Sequence, residues 1–241
     1  MANGMGRSAI VAEFIGTFTL VFIGTAVAVL AGSGMLQPGM SLIAVPFAFG
    51  FTLLVLVYAI GPVSGCHVNP AVTLGMWLAK RVSTQNAACY IVAQVLAGIA
   101  ASIVLLFILF GIGADLGAGV QAYSKSAFGV GANTIPSFFA LGPSLLLEAL
   151  LTALFIFVIL CATAAKAHPQ AAGLAIGGFL FVAHLLAVPL GGSSLNPARS
   201  IGPALVQGGE ALSVLWVYIV APVIGGLVGY GLYKMIHPAS Q

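Results

Sequence analysis

Six long stretches of the chain are almost wholly apolar, and its polar residues gather between them. They run at about 8–31, 41–60, 86–110, 143–164, 170–190 and 211–236. Each reaches roughly the 20 residues that a helix needs to cross a hydrocarbon core of about 30 Å. Two further apolar stretches, about 69–79 and 196–206, are too short to cross and read as re-entrant half-helices. Each of the two opens on Asn-Pro-Ala and follows a loop containing Gly and Ser. The pattern predicts an all-α membrane protein of six transmembrane helices plus two half-helices, forming a single transmembrane domain over 1–241. The first run follows Arg7 and could imitate a secretion signal. Its length and the Glu13 within it predict an uncleaved span instead.

The pattern also repeats. Repeat 1 covers about 8–110 and repeat 2 about 143–236, with a polar connection from Gly111 to Gly142 between them. Glu13 sits in span one and Glu148 in span four. Ser64-Gly65-Cys66-His67-Val68-Asn69-Pro70-Ala71-Val72 follows span two, and Gly191-Gly192-Ser193-Ser194-Leu195-Asn196-Pro197-Ala198-Arg199 follows span five. Three spans per half is an odd number, so the second half inserts upside down relative to the first, with a functional site expected at the midplane. Asn is a preferred N-cap and Pro a preferred first helical residue. Asn69-Pro70-Ala71 and Asn196-Pro197-Ala198 therefore start two helices that point at one another, bringing two positive dipole ends to the bilayer centre.

Composition changes the picture in one respect: it names the solvent. The chain is 61% hydrophobic and only 5% charged, against about one quarter charged in a soluble domain. Most of its surface must face lipid. The net charge of +3 comes from scattered residues with no basic patch, which excludes nucleic acid as a partner. If six spans alternate, Arg7, Lys80, Arg81, Lys166 and Lys234 fall on one side, while Lys125 falls on the other with Asp115 and Glu210. That sorting predicts cytoplasmic termini. Cys66, Cys89 and Cys161 lie in or beside apolar segments and read as buried free thiols. His67, His168, His184 and His237 show no metal-ligand spacing, so neither metal nor cofactor is expected.

Candidate chemistry lies inside the membrane segments. Arg199 and His184 are costly there and by default mark a pathway. Both are expected to offer hydrogen-bond donors to whatever passes along it. Taken alone, His184 also reads as a satisfied core histidine, and Phe49 as core or lipid-facing bulk. Glu13 and Glu148 read either as proton-relay groups or as acceptors for loop backbone N–H groups. Their repeat-related placement and the lack of a third acid favour the second. Gly65, Cys66, His67, Val68, Gly192, Ser194 and Leu195 are expected to turn backbone carbonyls toward a wet path. His67 reads as a gate at the cytoplasmic opening or as a fixed structural histidine, and Cys66 as facing the cytoplasmic vestibule. Gly173 and Gly177, with Gly225 and Gly229, have the spacing of close helix contacts, within one subunit or between subunits.

These features together resemble the aquaporin (major intrinsic protein) family over nearly the whole chain. The resemblance implies a right-handed helical bundle with one pore per subunit, assembled as a homotetramer in a cell membrane. It also implies a selectivity constriction at Phe49, His184, Ser193 and Arg199. Glycerol-conducting relatives carry a small residue where His184 stands, a bulky aromatic where Ser193 stands, and Asp where Ser200 stands. The pattern therefore resembles the water-selective branch. Ile219, three before Pro222, departs from the Trp common there. It keeps open a channel for glycerol, ammonia, hydrogen peroxide or carbon dioxide. From other classes, a proton-coupled transporter, an intramembrane enzyme and an impermeable adhesion protein remain to be weighed.

Overall fold

The computed structural model describes residues 6–33, 35–37, 39–115, 129–137, 139–191 and 193–237. Helix α1 (Arg7–Gly32) and α2 (Ser41–Ser64) are followed by the half-helix α3 (Pro70–Leu78) and by α4 (Thr84–Asp115). Helix α5 (Leu141–Ala162) leads through a short 3₁₀ turn, Pro169–Ala171, into α6 (Ala172–Gly191). The second half-helix, α7 (Pro197–Gln207), precedes α8 (Gly209–Val214) and α9 (Val217–Ile236). Among the described residues, six helical segments are long and apolar enough to cross a membrane.

The predicted and observed elements differ most in two places. The third span runs five residues past its predicted end, to Asp115. The sixth is broken at Leu215 and Trp216, so that α8 and α9 share one crossing. Gly192 and Lys125 lie outside the described residues, as does most of the connection between the halves.

Packing follows a two-fold pattern. Helix α1 packs on α2 and α4, as α5 packs on α6 and α9. The half-helix α3 lies against α9 of the other half, as α7 lies against α4. Helices α2 and α6 form the central pair, and α3 meets α7. With three crossings in each half, the two halves have opposite senses in the membrane.

Small residues permit these approaches. A Cβ on Gly177 would stand 2.5 Å from the Gly50 carbonyl oxygen, and one on Gly225 would stand 2.6 Å from that of Ala149. Gly173 and Gly229 meet Leu54 and Ala153 in the same way. The spacing read from sequence therefore serves packing within the subunit, α6 on α2 and α9 on α5. A Cβ on Gly202 would collide with the Gly98 carbonyl, and one on Gly98 with that of Ala198, so α7 rests directly on the α4 backbone.

The outward faces are apolar. Phe107, Leu146 and Met235 are 78%, 70% and 77% exposed, a surface that only lipid or another apolar surface would cover. On the side of Arg7, Arg81 spans the two halves. Its guanidinium donates to the Leu160 carbonyl (3.0 Å), Thr163 Oγ1 (2.5 Å) and the Tyr233 hydroxyl (3.0 Å).

Gly202→Val should cost at least about 1–3 kcal/mol of stability through overpacking, whereas Gly231→Ala, where a Cβ meets open space, should cost little. Thermal unfolding in detergent checks this. Equal melting temperatures for the two variants would show that α7 does not lie this close to α4.

Candidate functional site

The site begins with the two capping asparagines. Asn69 Oδ1 accepts from Ala71 N at 2.8 Å, and Asn196 Oδ1 accepts from Ala198 N at 3.0 Å. Each side-chain amide then reaches across to the other half. Asn69 Nδ2 donates to the Leu195 carbonyl (2.7 Å), and Asn196 Nδ2 donates to the Val68 carbonyl (2.9 Å). This reciprocal pair ties the half-helix starts together. An amide carries two N–H groups, so each asparagine keeps a second one, and both residues line the chamber between the halves.

The geometry demands an unfavourable backbone. Val68 has φ 45° and Leu195 φ 55°, both left-handed, as is Cys66 at 51°. For an L-residue this costs roughly 1–2 kcal/mol, and it is rarest for β-branched residues such as Val. Two buried carboxylates hold the strained turns. Glu13 accepts from His67 N (2.8 Å) and Val68 N (2.6 Å), and also from Ser64 Oγ and Gln94 Nε2, each at 2.7 Å. Glu148 accepts from Ser194 N (2.7 Å) and Leu195 N (2.9 Å). Four donors on Glu13 nearly saturate a carboxylate.

Toward the other end of the chamber three side chains converge. The Phe49 ring stacks on His184 with centroids 4.9 Å apart, and Arg199 Cζ lies 5.0 Å from the Phe49 centroid. Gly24 makes room for Phe49, since a Cβ there would strike the ring. Phe49, His184 and Arg199 line one chamber with His67, Val68, Asn69, Ser194 and Asn196. Its lining thus includes both the three converging side chains and the paired turns.

The polar atoms there are complementary. His184 Nδ1 lies 3.0 Å from the Leu180 carbonyl. A carbonyl only accepts, so Nδ1 carries the proton and Nε2 of the neutral ring is an acceptor. The sequence reading, in which His184 donates, is corrected on this point. Arg199 provides the donor. His184 Nε2 and Arg199 Nε are both buried, with no hydrogen-bond partner among the described residues.

Ser193 stands apart. Its side chain lines a separate small cavity with Glu148, Ser144 and Tyr218, not the chamber, and its carbonyl accepts from Asn133 Nδ2 at 3.1 Å. His67 is buried, with Nδ1 3.2 Å from Thr73 Oγ1 and its ring edge-on to Tyr90 at 5.2 Å. Cys66 is buried in the main apolar cluster and does not line the chamber. Of the loop carbonyls, those of Val68 and Leu195 accept from the opposing asparagines, which leaves each a second lone pair.

Sequence reasoning missed several residues. Gln94 and Thr73 complete the polar cluster around Glu13 and His67. Arg199 Nη1 donates to the Gly131 carbonyl and to Asn133 Oδ1, both at 2.8 Å. Gly131 and Asn133 belong to the long connection, whose polar, aperiodic sequence carries no signal of this role.

Two half-helices meeting head to head around a buried chamber, inside six apolar crossings, define an integral membrane protein of the channel class. The chain belongs to the major intrinsic protein family, which it matches over residues 4–233. It is 43% identical over 235 residues to Aquaporin Z of Rhodopseudomonas palustris, covering 97% of this chain and 95% of that relative. It is 40% identical over 231 residues to Aquaporin Z of Photorhabdus laumondii, covering 95% and 97%. The solved structure of the aquaglyceroporin from Plasmodium falciparum superposes with a TM-score of 0.80 over 96% of each chain, at 21% identity. At that distance the likeness concerns the fold alone.

Glu13→Ala would leave His67 N and Val68 N without their acceptor. Each buried orphan N–H costs about 1–3 kcal/mol, so a clear drop in melting temperature is expected, with loss of flux through reconstituted protein. Glu13→Gln keeps a single carbonyl acceptor and should fall between. An alanine variant as stable as wild type would mean that the carboxylate does not hold the turn.

Proposed function

We propose that the chain is a passive channel that conducts water in single file and excludes ions and protons. The observation that carries this reading is the pairing of one unpartnered acceptor, His184 Nε2, with one unpartnered donor, Arg199 Nε, beside the Phe49 ring. Water both gives and takes hydrogen bonds, and it is small enough to pass three converging side chains. The Aquaporin Z relatives support the same permeant.

Charge exclusion follows from the half-helices. Each N-terminal end carries about +0.5 charge. At roughly 5 Å and an effective dielectric of about 20, each end repels a monovalent cation by about 1.7 kcal/mol. The pair imposes about 3 kcal/mol, and the Arg199 guanidinium, a full charge, about 3 more where the ion passes it, before the loss of hydration that an ion also suffers. Neutral water meets none of these charge costs. The second N–H of Asn69 and that of Asn196 can donate to its oxygen at the midpoint. A molecule held by its oxygen turns both hydrogens away, which interrupts the donor chain a proton would follow.

In this reading Phe49, His184 and Arg199 select by size. Ser193 contributes backbone rather than its hydroxyl, because its carbonyl is the group fixed by Asn133. Glu13 and Glu148 are scaffolding, being committed to loop donors. The chamber is lined by residues of one chain, so each subunit of the homotetramer that the resemblance implies holds its own pore. Arg7, Lys80, Arg81, Lys166 and Lys234 set the orientation, with both termini cytoplasmic in the cell membrane.

Proteoliposomes containing the protein should shrink faster than empty vesicles in an osmotic jump, with little added glycerol entry. His184→Gly should admit glycerol. Wild-type shrinkage equal to that of empty vesicles would overturn the water reading, and an unchanged glycerol rate in the variant would place the constriction elsewhere.

A further inference from the structure

Asn133 is 2% exposed and lies in the connection between α4 and α5, at least 60 positions in sequence from Ser193, Arg199 and Ser200. Its Oδ1 accepts from Arg199 Nη1 at 2.8 Å and from Ser200 Oγ at 2.7 Å. Its Nδ2 donates to the Ser193 carbonyl at 3.1 Å. A guanidinium only donates and a carbonyl only accepts, so the amide can sit one way round. A carboxylate would set oxygen against the Ser193 oxygen, and an aliphatic side chain would remove all three bonds, leaving Arg199 Nη1 its bond to the Gly131 carbonyl and Ser200 its bond to Ser194.

The loop bearing Asn133 is itself secured on both sides. Val130 N donates to Gln207 Oε1 at 3.1 Å, and the Tyr218 hydroxyl donates to the Thr134 carbonyl at 2.9 Å. Gly131, at φ 78°, presses on Thr25 of α1. Asn133 thus transmits the position of a braced loop to two elements at once: the guanidinium that lines the chamber and the backbone of Ser193.

We propose that Asn133 is a positioning residue that sets solute selectivity. It fixes Arg199 against the Phe49 ring and holds the Ser193 backbone at a constant distance from it. The inference rests on the reading of Phe49, His184 and Arg199 as the constriction. Arg199 Nη1 has two hydrogens, and the Gly131 carbonyl holds only one of them. Removing Asn133 leaves the guanidinium a single tether about which it can swing.

The two ways of altering Asn133 have different consequences. Asn133→Ala frees Arg199 sideways, so the opening loosens and larger neutral solutes enter. Asn133→Asp keeps an acceptor for Arg199 but adds a negative charge beside it. The size barrier stays while the repulsion of cations weakens.

The test reconstitutes wild type and both variants at matched folded amounts and measures osmotic water flux, glycerol entry and dye-reported proton leak in each preparation. Asn133→Ala should raise the glycerol-to-water ratio several-fold with water flux largely kept. Asn133→Asp should raise proton leak by about tenfold, as the added anion offsets part of the Arg199 field, with glycerol still excluded. A residue that merely stabilised the loop would lower the yield of both variants and leave both ratios at wild-type values, which would overturn the proposal. If the alanine variant does not assemble, the proton leak of the aspartate variant decides alone, and an unchanged leak overturns it. A wild type that passes glycerol as readily as water would overturn the constriction reading and this inference with it. A selective wild type with unaltered variants overturns only the role of Asn133.

Discussion

A backbone N–H at the centre of a bilayer has no water to bond, and each half of this chain breaks its helical ladder at that depth. The structure depends on how those breaks are satisfied. Glu13 and Glu148 come from helices of their own halves and accept the N–H groups of the residues just before Asn69 and Asn196. Each carboxylate holds a left-handed residue, Val68 or Leu195, in a backbone state that would otherwise relax. The carbonyls of those same two residues then accept the asparagine amides from the opposite half. The acids therefore do more than neutralise stray donors. They set the turns, and the turns join the halves.

From that junction the permeation chemistry follows. Two helix starts aimed at one point give a positive field that a neutral molecule does not feel. In the proposed function, size selection falls to other side chains. Phe49 acts as a common wall for His184 and Arg199, and Gly24 behind it leaves the ring no bulkier neighbour. The imidazole, fixed by the Leu180 carbonyl, keeps Nε2 as an acceptor in the chamber that Arg199 also lines. A site with one of each suits a molecule that can use both, and offers less to a solute whose carbon skeleton must pass the same point.

Much of this was legible because it is local. Span length and apolar runs gave six crossings, and Asn-Pro marked both half-helix starts through capping chemistry that acts over three residues. Glu13, Glu148, His184 and Arg199 stood out because polar groups within apolar runs need partners. What escaped the reading was direction and distance. Small-residue spacing showed that Gly177 and Gly225 permit close contact, but not that their partners are Gly50 and Ala149. The proton position on His184 depends on a carbonyl one turn earlier, which no residue pattern reveals. Position relative to the second motif singles out Ser193, yet the structure turns its hydroxyl away from the chamber. Asn133 meets Arg199 across 66 positions, from a polar loop with no periodicity, so nothing in its surroundings marked it.

Single-file conduction means a row of neutral molecules in which no two can pass. The ratio of osmotic to tracer-exchange water permeability, measured on the same proteoliposomes under a clamped voltage, tests it most directly. In a single file every tracer molecule must push its whole column ahead of it. Single-file passage of water alone requires a ratio well above one with no accompanying current. A ratio of one, or a current that rises with the water flux, would contradict it.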